Sequence, residues 1–137
     1  MFTTATVPDC LVKAINSLLS QTTNAWNGVL ILDGGSDKLT KHAYRMFNHQ
    51  KFQKYEFNSN VGPFGTRSKA IELSNTEWYF QLDSDDLLPP DSIENIINAI
   101  KSNPDAQFIY GDCKYFSEIN TRVVKPSQDS ESLCFGP

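Results

Sequence analysis

No stretch of this 137-residue sequence approaches the roughly 20 consecutive apolar residues that cross a bilayer. The N-terminus has no charged segment leading into an apolar one, so neither a membrane span nor a secretory leader is expected. Cysteine is scarce. Cys10, Cys113 and Cys134 are odd in number and far apart, which fits neither a disulfide framework nor a zinc spacing and implies reduced thiols in a cytoplasmic setting. There is no basic block. Twelve lysines and arginines stand against sixteen aspartates and glutamates, a net charge of −4 that speaks against a nucleic-acid backbone as the main partner. Internal repeats are absent too. What remains is 39% hydrophobic and 20% charged, the composition of an ordinary soluble globular chain of one domain with a real core.

Read in order, the chain alternates helical and strand patterns. Met1 to Thr6 suits the end of a strand. Asp9 can cap a helix carrying Leu11, Ala14, Ile15, Leu18 and Leu19 on one face. Gly28 to Leu32 is a continuous apolar run of the kind buried on both faces of a parallel sheet, and it ends in Asp33-Gly34-Gly35-Ser36. A helix over Lys38 to Asn48, a short strand over Lys54 to Phe57, a Gly/Pro loop and a helix over Thr66 to Leu73 follow. Glu77 to Leu82 reads as another buried strand. Asp91-Ser92-Ile93-Glu94 resembles a capping box opening a helix with Ile93, Ile96, Ile97 and Ile100 on one stripe. Gln107 to Tyr110 suits a last strand, and beyond about Asn120 the chain turns polar. This alternation predicts an α/β fold, a mostly parallel Rossmann-like sheet flanked by helices, occupying 1–120 with a polar tail over 121–137.

The chemistry concentrates where Trp78-Tyr79-Phe80-Gln81-Leu82 runs into Asp83-Ser84-Asp85-Asp86. Carboxylates this close repel one another and are costly to desolvate, so they sit in water or share a cation. Hard oxygen ligands from one or two carboxylates suit Mg²⁺ or Mn²⁺, with water and substrate phosphates completing the shell. The plain alternative is a solvated turn capping the next helix. Asp33 also falls at the carboxyl end of a predicted strand, and in parallel sheets that edge is where ligands bind. Two acidic strand ends on one rim point to a ligand site.

The motifs together resemble the nucleotide-sugar-binding half of an inverting glycosyltransferase of family 2, with a GT-A fold. Ser17-x-x-x-Gln21-Thr22 is similar to the end of that family's first helix. Asp33-Gly34-Gly35-Ser36 resembles its acidic turn, Asn60-x-Gly62-x-x-x-Thr66-Arg67 its loop and helix start, and Asp83-Ser84-Asp85-Asp86 its Asp-x-Asp metal motif. The resemblance implies transfer of a sugar from a nucleotide-diphosphate donor, UDP-linked, to a saccharide or lipid-linked hydroxyl, with Mn²⁺ or Mg²⁺ bound. It assigns Thr3, Asp33, Arg67 and Asp83 to the nucleotide, and Asp85 with Asp83 to the metal. Asp33 would accept the N3–H of uracil, which a carboxylate does well; its alternative is a helix N-cap after Ser36. Arg67 would supply planar donors to the base or diphosphate. Asp86 would support the pair or face the acceptor, and Lys69 suits a solvated helix face.

Several positions depart from the family pattern. Only Met1 and Phe2 precede Thr3 where an apolar strand is usual, Ala5 stands where an aromatic often holds the base, and Ser68 replaces an asparagine. No residue, Asp112 included, marks itself as the general base of the acceptor side. The alternative reading is a nucleotide-binding fragment that does not transfer sugar. A signalling module with one phosphorylatable Asp would leave Asn60 to Arg67 unexplained. The missing layers would expose apolar surface, from which self-association is expected.

Overall fold

A computed structural model describes residues 8–116 and 121–124. The chain divides into two compact units, Met1–Asn95 and Ile96–Pro137. Within the first unit come α1 (Pro8–Leu19), β1 (Gly28–Leu32), α2 (Lys38–Met46), β2 (Phe52–Glu56) and α3 (Gly62–Leu73), and α4 (Ser92–Ser102) starts at its end. The second unit carries the antiparallel hairpin β3 (Cys113–Phe116) and β4 (Thr121–Val124). The fold is mixed α/β, as the alternation of patterns predicts. β4 lies at the start of the segment read as a polar tail, and 125–137 lie outside the described residues.

β1 and β2 pair in parallel, Gly28 opposite Phe52 through Leu32 opposite Glu56, with α2 as the crossover. Side chains alternate along a strand, so β1 serves two faces. Leu30 and Leu32, fully buried, join Leu11, Ala14, Ile15 and Leu18 of α1, Tyr44 of α2 and Phe52 in one core. Ile31 points the other way, is equally buried, and α3 packs on β1. Burying each such side chain stabilises by roughly 1.5–3 kcal/mol, which is why an unbroken Val-Leu-Ile-Leu run suits this position.

The helix ends follow from their capping chemistry. Asp37 caps α2, its carboxylate accepting from the N–H groups of Leu39 (2.8 Å) and Thr40 (3.0 Å) and from the Thr40 hydroxyl. Lys54 of β2 closes the other end: its Nζ donates to the carbonyls of Tyr44 (2.6 Å) and Phe47 (2.7 Å) and lies 4.4 Å over the Tyr44 ring. α2 is shorter than the predicted 38–48 because Phe47 has left helical backbone for an extended one. α3 starts four residues before the expected Thr66, since Pro63 fits the first turn of a helix, where no N–H is needed.

Among the described residues, Glu77–Leu82 and Gln107–Tyr110 join no ladder; β1 pairs with β2 alone. Leu82 is 4% exposed and belongs to the core, but Tyr79 and Phe80 are 64% and 49% exposed. A strand needs a neighbour as well as an apolar run, and the stretch read as an opening strand, Met1–Thr6, lies outside the described residues.

Candidate functional site

The site begins at the carboxyl ends of β1 and β2. There the turn Asp33–Ser36, closed by the Ser36 N–H on the Asp33 carbonyl at 3.0 Å, meets the loop 58–62. The two lie in direct contact: a Cβ on Gly34 would stand 2.4 Å from the Ser59 backbone nitrogen, and one on Gly35 2.8 Å from Nδ2 of Asn60. At Gly34, where the neighbour is backbone, glycine is therefore a requirement of close approach. Asn60 steadies its own loop, Oδ1 accepting from the Gly62 N–H at 2.9 Å, and Gly62 takes a left-handed φ of 70°.

Asp33 is the hinge of this arrangement. Its Oδ1 accepts from the Val61 N–H at 2.9 Å and its Oδ2 from the Gly62 N–H at 3.1 Å. Val61, the N-cap residue of α3, makes no side-chain cap bond, so Asp33 caps α3 from across the sheet edge. The N-cap role weighed for it after Ser36 goes instead to Asp37. A carboxylate has about four lone-pair positions, so two remain for a ligand.

One and a half turns into α3, Arg67 reaches the second acidic corner. Its Nη2 donates to Oδ2 of Asp83 at 3.4 Å, while Gln81 Nε2 donates to Oδ1 of the same carboxylate at 3.0 Å. Arg67 and Asp83 are each about one third exposed. The Arg67 Nε is buried with no hydrogen-bond partner among the described residues. Lys69, two residues on, is held by Glu72 at 2.8 Å and lies 4.9 Å over the Tyr55 ring; at 21% exposed it is engaged by its neighbours rather than solvated as expected.

Asp83–Asp86 form a turn, with the Asp86 N–H on the Asp83 carbonyl at 3.1 Å. Ser84 is fully buried and the side chains of Asp85 and Asp86 face solvent. The Asp86 carboxyl titrates above its ordinary range, first through desolvation and then through the charges of Asp85 and Asp83. That crowding is the repulsion a divalent cation relieves. Among the described residues no three acidic, histidine or cysteine side chains converge into a ready cage. One or two exposed carboxylates on a turn fit a hard cation that draws the rest of its shell from water and phosphate. Of the expected site residues, α3 thus brings Asp33, Arg67 and Asp83 into one connected set, and Asp85 lies two residues on. Thr3 lies outside the described residues.

Sequence reasoning left Ser17, Gln21 and Gln81 without roles. The first two were visible as a motif, and the i, i+4 spacing sets them along one side of a helical path. Their partners are Leu88, Pro89 and Ile93, which only the folded chain brings near.

A parallel α/β unit with acidic residues gathered by a helix at its carboxyl edge has the layout of a ligand-binding α/β domain. The sequence matches glycosyl transferase family 2 over residues 3–133, and the chain belongs to that family. It is 24% identical to an uncharacterized glycosyltransferase of Haemophilus influenzae over 119 residues, 85% of this chain and 40% of the relative. A Mycoplasma pneumoniae glycosyltransferase is 29% identical over 119 residues, covering 82% and 40%. One from Methanocaldococcus jannaschii is 24% identical over 118 residues, covering 84% and 40%. The chain spans 40% of the length of these relatives. No helix among the described residues is long and apolar enough to cross a membrane.

Proposed function

We propose that this chain binds the donor of a sugar transfer, a nucleoside diphosphate sugar that is UDP-linked, with Mn²⁺ or Mg²⁺ at the acidic turn. The observation that carries the reading is Arg67: it spans from the helix that Asp33 caps to Asp83, and its buried Nε–H has no acceptor among the described residues. The Arg67 side chain is one third exposed at this edge, and a diphosphate or base oxygen is the acceptor that its planar donors suit. In this reading Asp33 accepts the imide N–H of the base with its remaining lone pairs. Asp83, gripped on both oxygens, is oriented toward the ribose hydroxyls. Asp85 is the carboxylate free to hold the ion. When bound, the ion would neutralise charge on the departing diphosphate. Thr3 would lie near the base, as the family pattern implies, and transfer would proceed with inversion.

The test is calorimetry with UDP, with and without Mn²⁺, on the native chain and on Asp85→Ala. Metal-dependent binding that Asp85→Ala abolishes supports the reading. Absence of UDP binding in the presence of Mn²⁺ removes it. A second reading is binding without transfer, in keeping with the absence of any residue assigned as the general base. It is separated by following UDP release from a UDP-sugar: binding without release at any acceptor tried supports this second reading over transfer by the chain itself.

A further inference from the structure

The acidic turn is held from both sides. Ahead of it, Leu82 is anchored in the core and Asp83 is gripped by Arg67 and Gln81. Behind it runs Leu87-Leu88-Pro89-Pro90, a segment in which neither proline can donate a backbone hydrogen bond. This segment is fastened to the C-terminal end of α1. The Leu88 N–H donates to Ser17 Oγ at 3.1 Å, and the Thr22 N–H donates to the Pro90 carbonyl at 2.8 Å. Between them Gln21 uses its whole amide: Nε2 donates to the Pro89 carbonyl at 2.7 Å and to the Ser17 carbonyl at 3.0 Å, and Oε1 accepts from the Ile93 N–H at 2.9 Å. Gln21 is buried, 9% exposed.

We propose that Gln21, assisted by Ser17, is a positioning residue for the donor site: by locking the chain behind Asp83–Asp86 to α1, it fixes where the turn presents Asp85. The inference rests on the reading of that turn as the metal-diphosphate site. Without the Gln21 amide, the Pro89 carbonyl and the Ile93 N–H lose a buried partner, and the segment behind the turn keeps only the Leu88–Ser17 and Thr22–Pro90 bonds to hold it. Residues that orient a ligating carboxylate matter to affinity nearly as much as the ligand itself; losing one weakens metal binding by roughly 10-fold or more.

The variants are Gln21→Met, which keeps length and removes every polar contact, and Ser17→Ala, which removes the acceptor for Leu88 together with the hydroxyl's local bond to the Ala14 carbonyl at 2.7 Å and favours the helix. Lys54→Met, which frees the end of α2 away from the turn, controls for global destabilisation. The readouts are the dissociation constant for UDP with Mn²⁺, the EPR spectrum of Mn²⁺ in that complex, and amide exchange at Leu88 and Ile93. We expect an affinity loss of roughly 10-fold for Gln21→Met and a smaller one for Ser17→Ala. Exchange should quicken at Leu88 and Ile93 and the Mn²⁺ spectrum should broaden, while Lys54→Met leaves affinity unchanged. Faster exchange with unaltered affinity and spectrum would overturn the proposal and make Gln21 a structural staple. Should Gln21→Met not fold, unaltered affinity in Ser17→Ala overturns it equally. A native chain that takes up no UDP with Mn²⁺ overturns the donor reading itself, and this one with it, a result distinct from equal binding by native and variant chains.

Discussion

Arg67 Nη2 lies 3.4 Å from Oδ2 of Asp83, a helix side chain reaching the first residue of the acidic turn. The contact is too long and too exposed to contribute much stability; pairs of this kind are worth about 0–1 kcal/mol. Its weight lies in orientation. Arg67→Ala should therefore leave thermal stability nearly unchanged while weakening UDP binding in Mn²⁺ by about 10-fold, or 1.4 kcal/mol. Arg67→Lys should recover little, because an ammonium cannot place planar donors on a carboxylate and a ligand together. Calorimetry beside thermal unfolding checks both. Equal losses in stability and affinity would show that Arg67 serves the fold.

The glycines of the Asp33 turn yield a sharper contrast. A methyl on Gly34 would meet Ser59 backbone atoms at 2.4 to 2.6 Å, and backbone cannot swing aside as a flexible side chain does. Gly34→Ala should cost roughly 1–3 kcal/mol through overpacking and part the two loops that form the rim. Gly111→Ala meets nothing within 4 Å and should fall within about ±0.5 kcal/mol of the native chain. Urea unfolding of the two variants reads the difference.

Acid should unfold the chain partly through Asp37 and Glu56. The Thr40 hydroxyl and then backbone N–H groups hold the Asp37 carboxyl below its ordinary range. The Arg45 guanidinium, 2.6 Å away, does the same for Glu56. A carboxyl lowered in the folded state stabilises fully above its unfolded value, and that contribution is lost as pH falls through the folded one. Native Tm should thus decline on going from about pH 5 to about pH 3 more steeply than that of the double variant Asp37→Asn, Glu56→Gln. Parallel declines in circular dichroism melts would refute this assignment.

Lys54 is set to act in the opposite way to a surface lysine. Burial lowers its pKa, with Glu56 opposing, and its ammonium collects the last carbonyls of α2. Lys54→Met should cost about 1–2 kcal/mol by leaving those carbonyls without a donor, with exchange quickening first in the last turn of α2. Uniform loss of protection across α1 and α3 would point to a different cause.

Much of this molecule is legible without coordinates. The 3.6-residue spacing of Leu11, Ala14, Ile15 and Leu18 places α1 and its buried face, and the unbroken run Val29–Leu32 marks a doubly covered strand. Those signals are local: they need only neighbours in sequence. The acidic residues could be singled out because like charges so close require an explanation wherever they fold.

Tertiary structure decided the rest. That Asp33 caps α3, that Gln21 bolts down the segment behind Asp86, and that Lys54 closes α2 are pairings of residues 7 to 72 positions apart, which no spacing rule reaches. The same reason explains why Glu77–Leu82, expected as a strand, joins no ladder among the described residues. Its composition suits a strand, but a strand exists only as a ladder with a neighbour, and hydrogen-bond partners belong to the fold rather than to the segment.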